Sequence, residues 1–267
     1  MSLKKILDKM TKIIVITSGK GGVGKTTTAI NLAAAMNYFG EDVLVIDGNI
    51  STPNIGIHLN APEVPVSLNH ILRKKAEPFE AVYEHESGIK IIPSSISIKE
   101  LNRTKSERLK DFREEFKKLS DHVIIDCAAG LGLEASSSIE TADELIIVTN
   151  PEMPAITDAL KAIKFAEQMK KPVRGVIVTR VRGDKIELSP EVVKEMLEVP
   201  ILGMIPEDDC VKESIREKNA VVHIRPKSHA ARAYKEVAAK LLGIPYDSDK
   251  DREKLFERLS KWLKGKK

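Results

Sequence analysis

The chain has 267 residues, 42% of them hydrophobic, enough for one large α/β domain or two small ones. Six Phe, four Tyr and one Trp leave little for stacking on single-stranded nucleic acid, and Cys127 and Cys210 form no C-x-x-C pair of the kind that holds zinc or iron–sulfur. No apolar run approaches the ~20 residues of a membrane span and no signal peptide is visible, so the expected location is cytoplasmic. The formal charge of +4 is uneven, because residues 250–267 carry +5 and everything before them sums to −1. The body's balance does not indicate a general nucleic-acid surface, although it is compatible with local basic patches.

Residues 1–12 are an extension ahead of the first strand. Leu3, Ile6, Leu7 and Met10 recur at i, i+3, i+4 and i+7, which reads either as a short amphipathic helix or as a fraying segment. Ile13–Thr17 is then a buried strand, followed by Gly19–Thr28, which reads G-K-G-G-V-G-K-T-T-T, and by helix-forming residues through Met36. A strand, a glycine-rich turn and a helix opening at Thr26 form a phosphate-binding loop, and Gly19 to Thr26 fill the whole G-x-x-x-x-G-K-[ST] pattern. Side chains at Gly21, Gly22 and Gly24 would keep the backbone N–H groups from wrapping a polyphosphate. With Val23 and Thr27 those glycines make the cradle, Lys25 can reach the β and γ phosphates, and the Thr26 hydroxyl is placed to ligate Mg²⁺. The expected ligands are therefore a nucleotide and Mg²⁺.

Asp42–Asp47 reads as a buried strand ending in a carboxylate, followed by the turn-rich Gly48–Asn54. In open α/β sheets, ligands sit at that strand end. Short helices are expected at Val66–Arg73 and Glu77–Tyr83, a strand at Ile89–Pro93 and a charged amphipathic helix at Ser106–Leu119. His122–Asp126 is the next strand, again ending in Asp, and leads into Cys127-Ala128-Ala129-Gly130. Further strands are expected at Glu144–Thr149, Val173–Thr179 and Ile201–Ile205, with a helix at Ala155–Lys170. Arg180 follows one of these strands, and Pro206-Glu207-Asp208 follows another. Repeated β-then-α units give a doubly wound, mostly parallel sheet in one domain spanning residues 13–242.

Residues 243–249 read as a linker, and 250–267 as an amphipathic helix. Leu255, Phe256, Leu259, Trp262 and Leu263 fall within about 120° of arc at 100° per residue, and basic residues flank or oppose that stripe. Such a helix suits an anionic membrane surface, and it equally suits docking onto its own domain or a partner.

The K-G-G-x-G-K-T loop resembles the deviant phosphate loop of the MinD/ParA family of ATPases. The resemblance extends, in order along Ile13–Leu242, to the D-x-N…P-N, D-C-A-A-G, T-N-P-E, T-R and I-P-E-D strings. It implies that Lys20 reaches across an ATP-bound homodimer to the partner's phosphates, acting in trans like an arginine finger. It also implies that Asp47 and Asp126 stand near Mg²⁺, that the Gly130 N–H swings toward the γ-phosphate, and that Arg180, Pro206, Glu207 and Asp208 lie around the adenine. Asn49 stands where the family's water-orienting aspartate is expected. Asn carries no charge and takes no proton, so hydrolysis is expected to be impaired, as in a form that traps ATP. Cys127 and Ala128 depart from the D-[ST]-P-A-G of the second switch. The implied activity is that of a dimerising ATPase that binds membrane through its tail and positions a partner protein in cell division or polar organisation. The rivals are a ParA-like partitioning ATPase on DNA, an iron–sulfur carrier, which the lack of C-x-x-C disfavours, and a non-hydrolysing nucleotide-switched scaffold.

Overall fold

The computed structural model describes residues 11–247. The N-terminal amphipathic segment, the end of the linker, and the tail stripe of Leu255, Phe256, Leu259, Trp262 and Leu263 lie outside the described residues. Eight strands form one sheet: β1 (Lys12–Thr17), β2 (Val43–Gly48), β3 (Tyr83–Glu84), β4 (Lys90–Ile92), β5 (His122–Cys127), β6 (Glu144–Thr149), β7 (Val173–Val181) and β8 (Ile201–Pro206). Their spatial order is β3-β4-β2-β5-β1-β6-β7-β8, parallel throughout except for the β3–β4 pair at the edge. In chain order the helices are α1 (Lys25–Tyr38), α2 (Ile55–His58), α3 (Leu68–Leu72), α4 (Ile98–Leu101), α5 (Arg113–Lys117), α6 (Leu133–Thr141), α7 (Met153–Gln168), α8 (Pro190–Leu197), α9 (Asp209–Arg216), α10 (Val221–Ile224) and α11 (His229–Leu242).

The sheet is covered on both faces, which explains the unbroken apolar runs of its strands. In β1, Ile14 and Ile16 pack with α1, α10 and α11, while Ile13 and Val15 face α3, α6 and Phe116. A third cluster seats α7 and α8 on β6 and β7 through Ile156, Ile163, Val193 and Leu197. Strand order reverses at β1, which pairs with β5 on one side and β6 on the other. The crevice above such a reversal is where an α/β sheet binds its ligand, and the glycine loop opens there.

Three local expectations change. Glu77–Tyr83 is a 3-10 turn over Pro78–Ala81, and Tyr83 then pairs antiparallel with Ile91. Ser106–Leu119 divides into a 3-10 segment at Ser106–Phe112 and the α-helical turn α5. The Ser106 carbonyl accepts the Ser137 hydroxyl at 2.6 Å, and buried Leu109 and Phe116 anchor both pieces, so docking onto α6 outweighs a continuous helix. Arg180 does not follow β7 but lies within it, at a positive φ of 56°, where the register with β8 shifts.

Candidate nucleotide site

The loop between β1 and α1 is held by its neighbours as well as by its own turn. Gly24 has φ +92°, and a Cβ there would lie 3.5 Å from the Thr179 hydroxyl, which itself donates to the Val23 carbonyl at 2.6 Å. Gly19 is tighter still, since a Cβ would come within 1.9 Å of the Asp158 carbonyl on α7. Gly21 and Gly22 are exposed at the loop's mouth and Val23 is buried beneath it. Lys20 is exposed and makes no ion pair among the described residues.

Lys25, Thr26, Asp47 and Asp126 meet where β1, β2 and β5 end. Lys25 is only 9% exposed, and burial lowers its pKa against the pull of Asp126. The Thr26 hydroxyl donates to Asp126 Oδ2 at 2.5 Å, whereas Asp126 Oδ1 is buried with no hydrogen-bond partner. Burial pushes the Asp126 carboxyl up to about 6, opposed by Thr26 and Lys25. Asp47 is driven further, to about 8, by burial and then by the neighbouring Asp126 charge. Its carboxylate accepts the N–H groups of Asn54 at 2.9 Å, Ile55 at 3.0 Å and Asn49 at 3.3 Å, so it also shapes the loop after β2.

Mg²⁺ fits this donor set. The available groups are hard oxygens, and an orphaned buried carboxylate oxygen is the kind of acceptor a cation satisfies. Thr26, Asp126 and Asp47 are the residues that would hold it. No group of three or more His, Cys, Asp or Glu among the described residues could hold a metal unaided. Phosphate oxygens would therefore complete the coordination, and the bound ion would supply neutralisation of phosphate charge.

The loop after β2 and the start of α6 are clasped to one another. Ser51 in the first loop donates through its N–H (3.2 Å) and its hydroxyl to the carboxylate of Glu134 on α6, a contact not anticipated from the sequence. Asn49 borders the cleft between them, together with Ala128, Ala129 and Gly132. Its amide donates to the Thr52 carbonyl at 2.6 Å and accepts the Thr52 hydroxyl at 3.0 Å. The Gly130 N–H donates to the Ser18 carbonyl at 3.3 Å, so turning toward a phosphate requires that bond to open. Cys127 is fully buried, and burial pushes its thiol up to about 11.

A second cavity, of about 280 Å³, adjoins the loop and brings Gly24 and Thr27 together with Arg180, Pro206, Glu207 and Asp208. Glu207 pairs with Arg182 on the rim. Asp208 accepts the Cys210 N–H at 2.9 Å and the Ala230 N–H at 3.1 Å, so it anchors the starts of α9 and α11 at the cavity wall. Sequence reading missed Thr179, Val211, Lys212, Ile215 and Tyr234, which also line it. The signal for Tyr234 was present. Ser228 caps a helix whose buried Ala230, Ala231, Tyr234, Val237 and Ala238 follow helical spacing.

Residues 14–221 match the family described as "CobQ/CobB/MinD/ParA nucleotide binding domain". An uncharacterised ATP-binding protein of Methanocaldococcus jannaschii is 39% identical over 253 residues, covering 94% of this chain and 95% of that protein. The septum site-determining protein MinD of Pyrococcus horikoshii, solved with Mg-ADP, superposes with a TM-score of 0.83 at 32% identity over 87% of this chain and 96% of that one. MinD from the MinC:MinD cell division complex of Aquifex aeolicus gives a TM-score of 0.79 at 29% identity over 89% and 98%. With a family match over most of its length and relatives above 30% identity along nearly the whole chain, the chain belongs to the MinD/ParA family of nucleotide-binding proteins.

Proposed function

We propose that the chain is an ATP-dependent, dimerising MinD-like ATPase that binds an anionic membrane surface through its C-terminal helix and positions a partner protein. The observation that carries this reading is the meeting of Lys25, Thr26, Asp47 and Asp126 beneath a glycine cradle, with one Asp126 oxygen unpartnered. Gly21–Thr27 wrap the phosphates with backbone N–H groups, and Lys25 holds their charge. Thr27, Arg180, Pro206, Glu207 and Asp208 close around the base. Lys20, exposed at the loop's mouth, reaches the phosphates bound to a second copy and stabilises charge there. The Mg-ADP bound to the Pyrococcus relative and the MinC partner of the Aquifex relative support the ligand and the class of partner.

The tail couples this state to membrane. One helix carrying Leu255, Phe256, Leu259, Trp262 and Leu263 binds weakly, and two on one dimer gain about 10²–10⁴-fold in avidity. ATP should therefore drive both dimerisation, read by light scattering, and pelleting with phosphatidylglycerol vesicles. Lys20→Ala should lose both, while Trp262→Glu should lose only pelleting. A chain that stays monomeric with ATP and Mg²⁺ at tens of micromolar, about 6–7 kcal/mol of affinity, would sink the reading.

A second reading, a switch that binds ATP and hydrolyses it little, is favoured by Asn49. Both ends of its amide are occupied by Thr52, and it has no carboxylate to accept a proton.

A further inference from the structure

A cavity of about 490 Å³ lies outside the nucleotide cleft, floored by Leu72 and walled by Arg73, Arg103, Lys105 and Arg108. We propose that it is a binding site for a phosphate group, carried either by a soluble phosphorylated compound or by a phospholipid headgroup.

The four cations come from separate segments that the fold holds together. Arg73 caps α3, Arg103 and Lys105 follow α4, and Arg108 sits on the 3-10 segment. Between Arg103 and Lys105, the Thr104 hydroxyl accepts the Asn69 amide at 3.0 Å and donates to the Glu100 carbonyl at 2.7 Å. Asn69 is fully buried on α3, so the residue between the two cations is pinned to the helix that carries Arg73. Asn69 also accepts the Ser95 N–H at 2.8 Å, and the adjoining Ser94 hydroxyl donates to the Asp47 carbonyl at 2.7 Å. The cavity thus stands on the same buried scaffold as the first switch.

Charge sets the ligand class. Arg73, Arg103 and Lys105 make no ion pair among the described residues, and Arg108 meets only Asp111, at 3.6 Å. Like charges gathered around one cavity repel, and an anion between them relieves that cost. This concentration stands out on a body whose net charge is −1 once residues 250–267 are set aside. Three guanidinium forks and an ammonium suit the several oxygens of a phosphate, which they can grip bidentately. The lining has no aromatic ring to stack a base, so the phosphate itself is the recognised part.

The test uses the full chain saturated with Mg-ADP, so that the phosphate loop is filled. Inorganic phosphate is titrated by calorimetry into the parent, Arg73→Gln/Arg103→Gln, Lys105→Gln and the distant control Lys164→Gln. Vesicles of phosphatidylglycerol in phosphatidylcholine are tested in a Trp262→Glu background, alone and combined with the double substitution or with Lys105→Gln. The double variant should bind phosphate about 10–100-fold more weakly, and Lys105→Gln several-fold more weakly, with Lys164→Gln unchanged. Loss seen with phosphate supports a soluble source, and loss seen only with vesicles supports a headgroup. The proposal is overturned if the double variant and Lys105→Gln match their parents in both assays, including the case where phosphate binds elsewhere. It is equally overturned if neither probe binds the parent. Thermal melting checks folding, and Lys105→Gln, at an exposed position, keeps the test decisive should the double variant misfold.

Discussion

The two ends of the same sheet treat charge in opposite ways. At the N-terminal ends of the strands, the charges are answered. Lys90 pairs with Asp42 at 2.8 Å, His122 meets Glu41 at 3.1 Å, and Lys12 meets Glu144 at 3.4 Å. Asp143 accepts the Ile13 N–H at 2.9 Å and pairs with Lys117 at 3.0 Å and with Arg113. Burial alone would raise the Asp143 carboxyl, but those partners outweigh it and hold it below its ordinary value. At the C-terminal ends, Asp47 and Asp126 are pushed up to about 8 and about 6 by burial, beside a lysine whose own pKa burial lowers. At one end the ion pairs are closed within the chain, with only the buried His122 Nδ1 left unpartnered. The other holds charge that the chain leaves incompletely answered, as sites made for an external ligand do.

The largest expected effect is at the unsatisfied end. Asn49→Asp restores a proton-accepting group in the switch cleft and should raise ATP turnover by about 10²–10⁴-fold, read as phosphate release with vesicles present. ATP affinity should change little, because on the proposed reading the loop backbone and Lys25, not Asn49, hold the phosphates. Equal turnover in both forms would place the block elsewhere.

A crossed pair of substitutions tests the comparison itself. Asp143→Asn should cost about 1.5–3 kcal/mol of stability in urea unfolding, the usual worth of hydrogen bonds to a charged group, without altering nucleotide affinity. Asp126→Asn should do the reverse. It should weaken Mg²⁺-dependent nucleotide binding by about tenfold or more while leaving the ligand-free chain at least as stable, because it removes a buried charge with an unpartnered oxygen. If Asp126→Asn destabilised the chain as much as Asp143→Asn, the contrast between the two ends would fail.

The pH dependence of the Asp143 cluster sharpens the same point. Its folded pKa lies below its unfolded value, so its contribution is complete above the ordinary carboxylate range near ~4 and is lost as pH falls through the folded pKa. The stability gap between parent and Asp143→Asn should therefore be constant from neutral pH to about 5 and close below about 4. A gap that widened on acidification would contradict the assignment.

The smallest effect belongs to the cavity lined by Thr27, Arg180 and Tyr234. Tyr234→Phe removes one hydroxyl pair, with Thr28 at 3.3 Å, and should cost about 0.5–1.5 kcal/mol of stability by thermal melting. Mg-ADP should still bind the variant, because the ring remains in the cavity wall.

Seven of the eight strands among the described residues were legible because a parallel strand buried on both faces must be a continuous apolar, largely β-branched run, and Ile13–Thr17, His122–Asp126 and Glu144–Thr149 are such runs. The glycine loop was legible because its glycines, Lys25 and Thr26 are contiguous, and contiguity fixes their geometry through the backbone. The strand-terminal Asp47 and Asp126 follow from the same logic, since a carboxylate ending a buried run marks the sheet's ligand-bearing edge. What only the tertiary structure decided joins residues far apart in the chain. Ser51 reaches Glu134, Thr179 reaches Val23, and Tyr234 reaches Thr28 through packing that no local pattern encodes. The break at Ser106–Lys117 has the same origin, because helical periodicity records which side chains face inward but not how tightly the backbone winds to dock them. The clustering of Arg73, Arg103, Lys105 and Arg108 is likewise invisible in net charge, which sums over the body and discards position. Sequence sets the chemistry that neighbours in the chain can express, whereas long-range packing decides which distant side chains become neighbours.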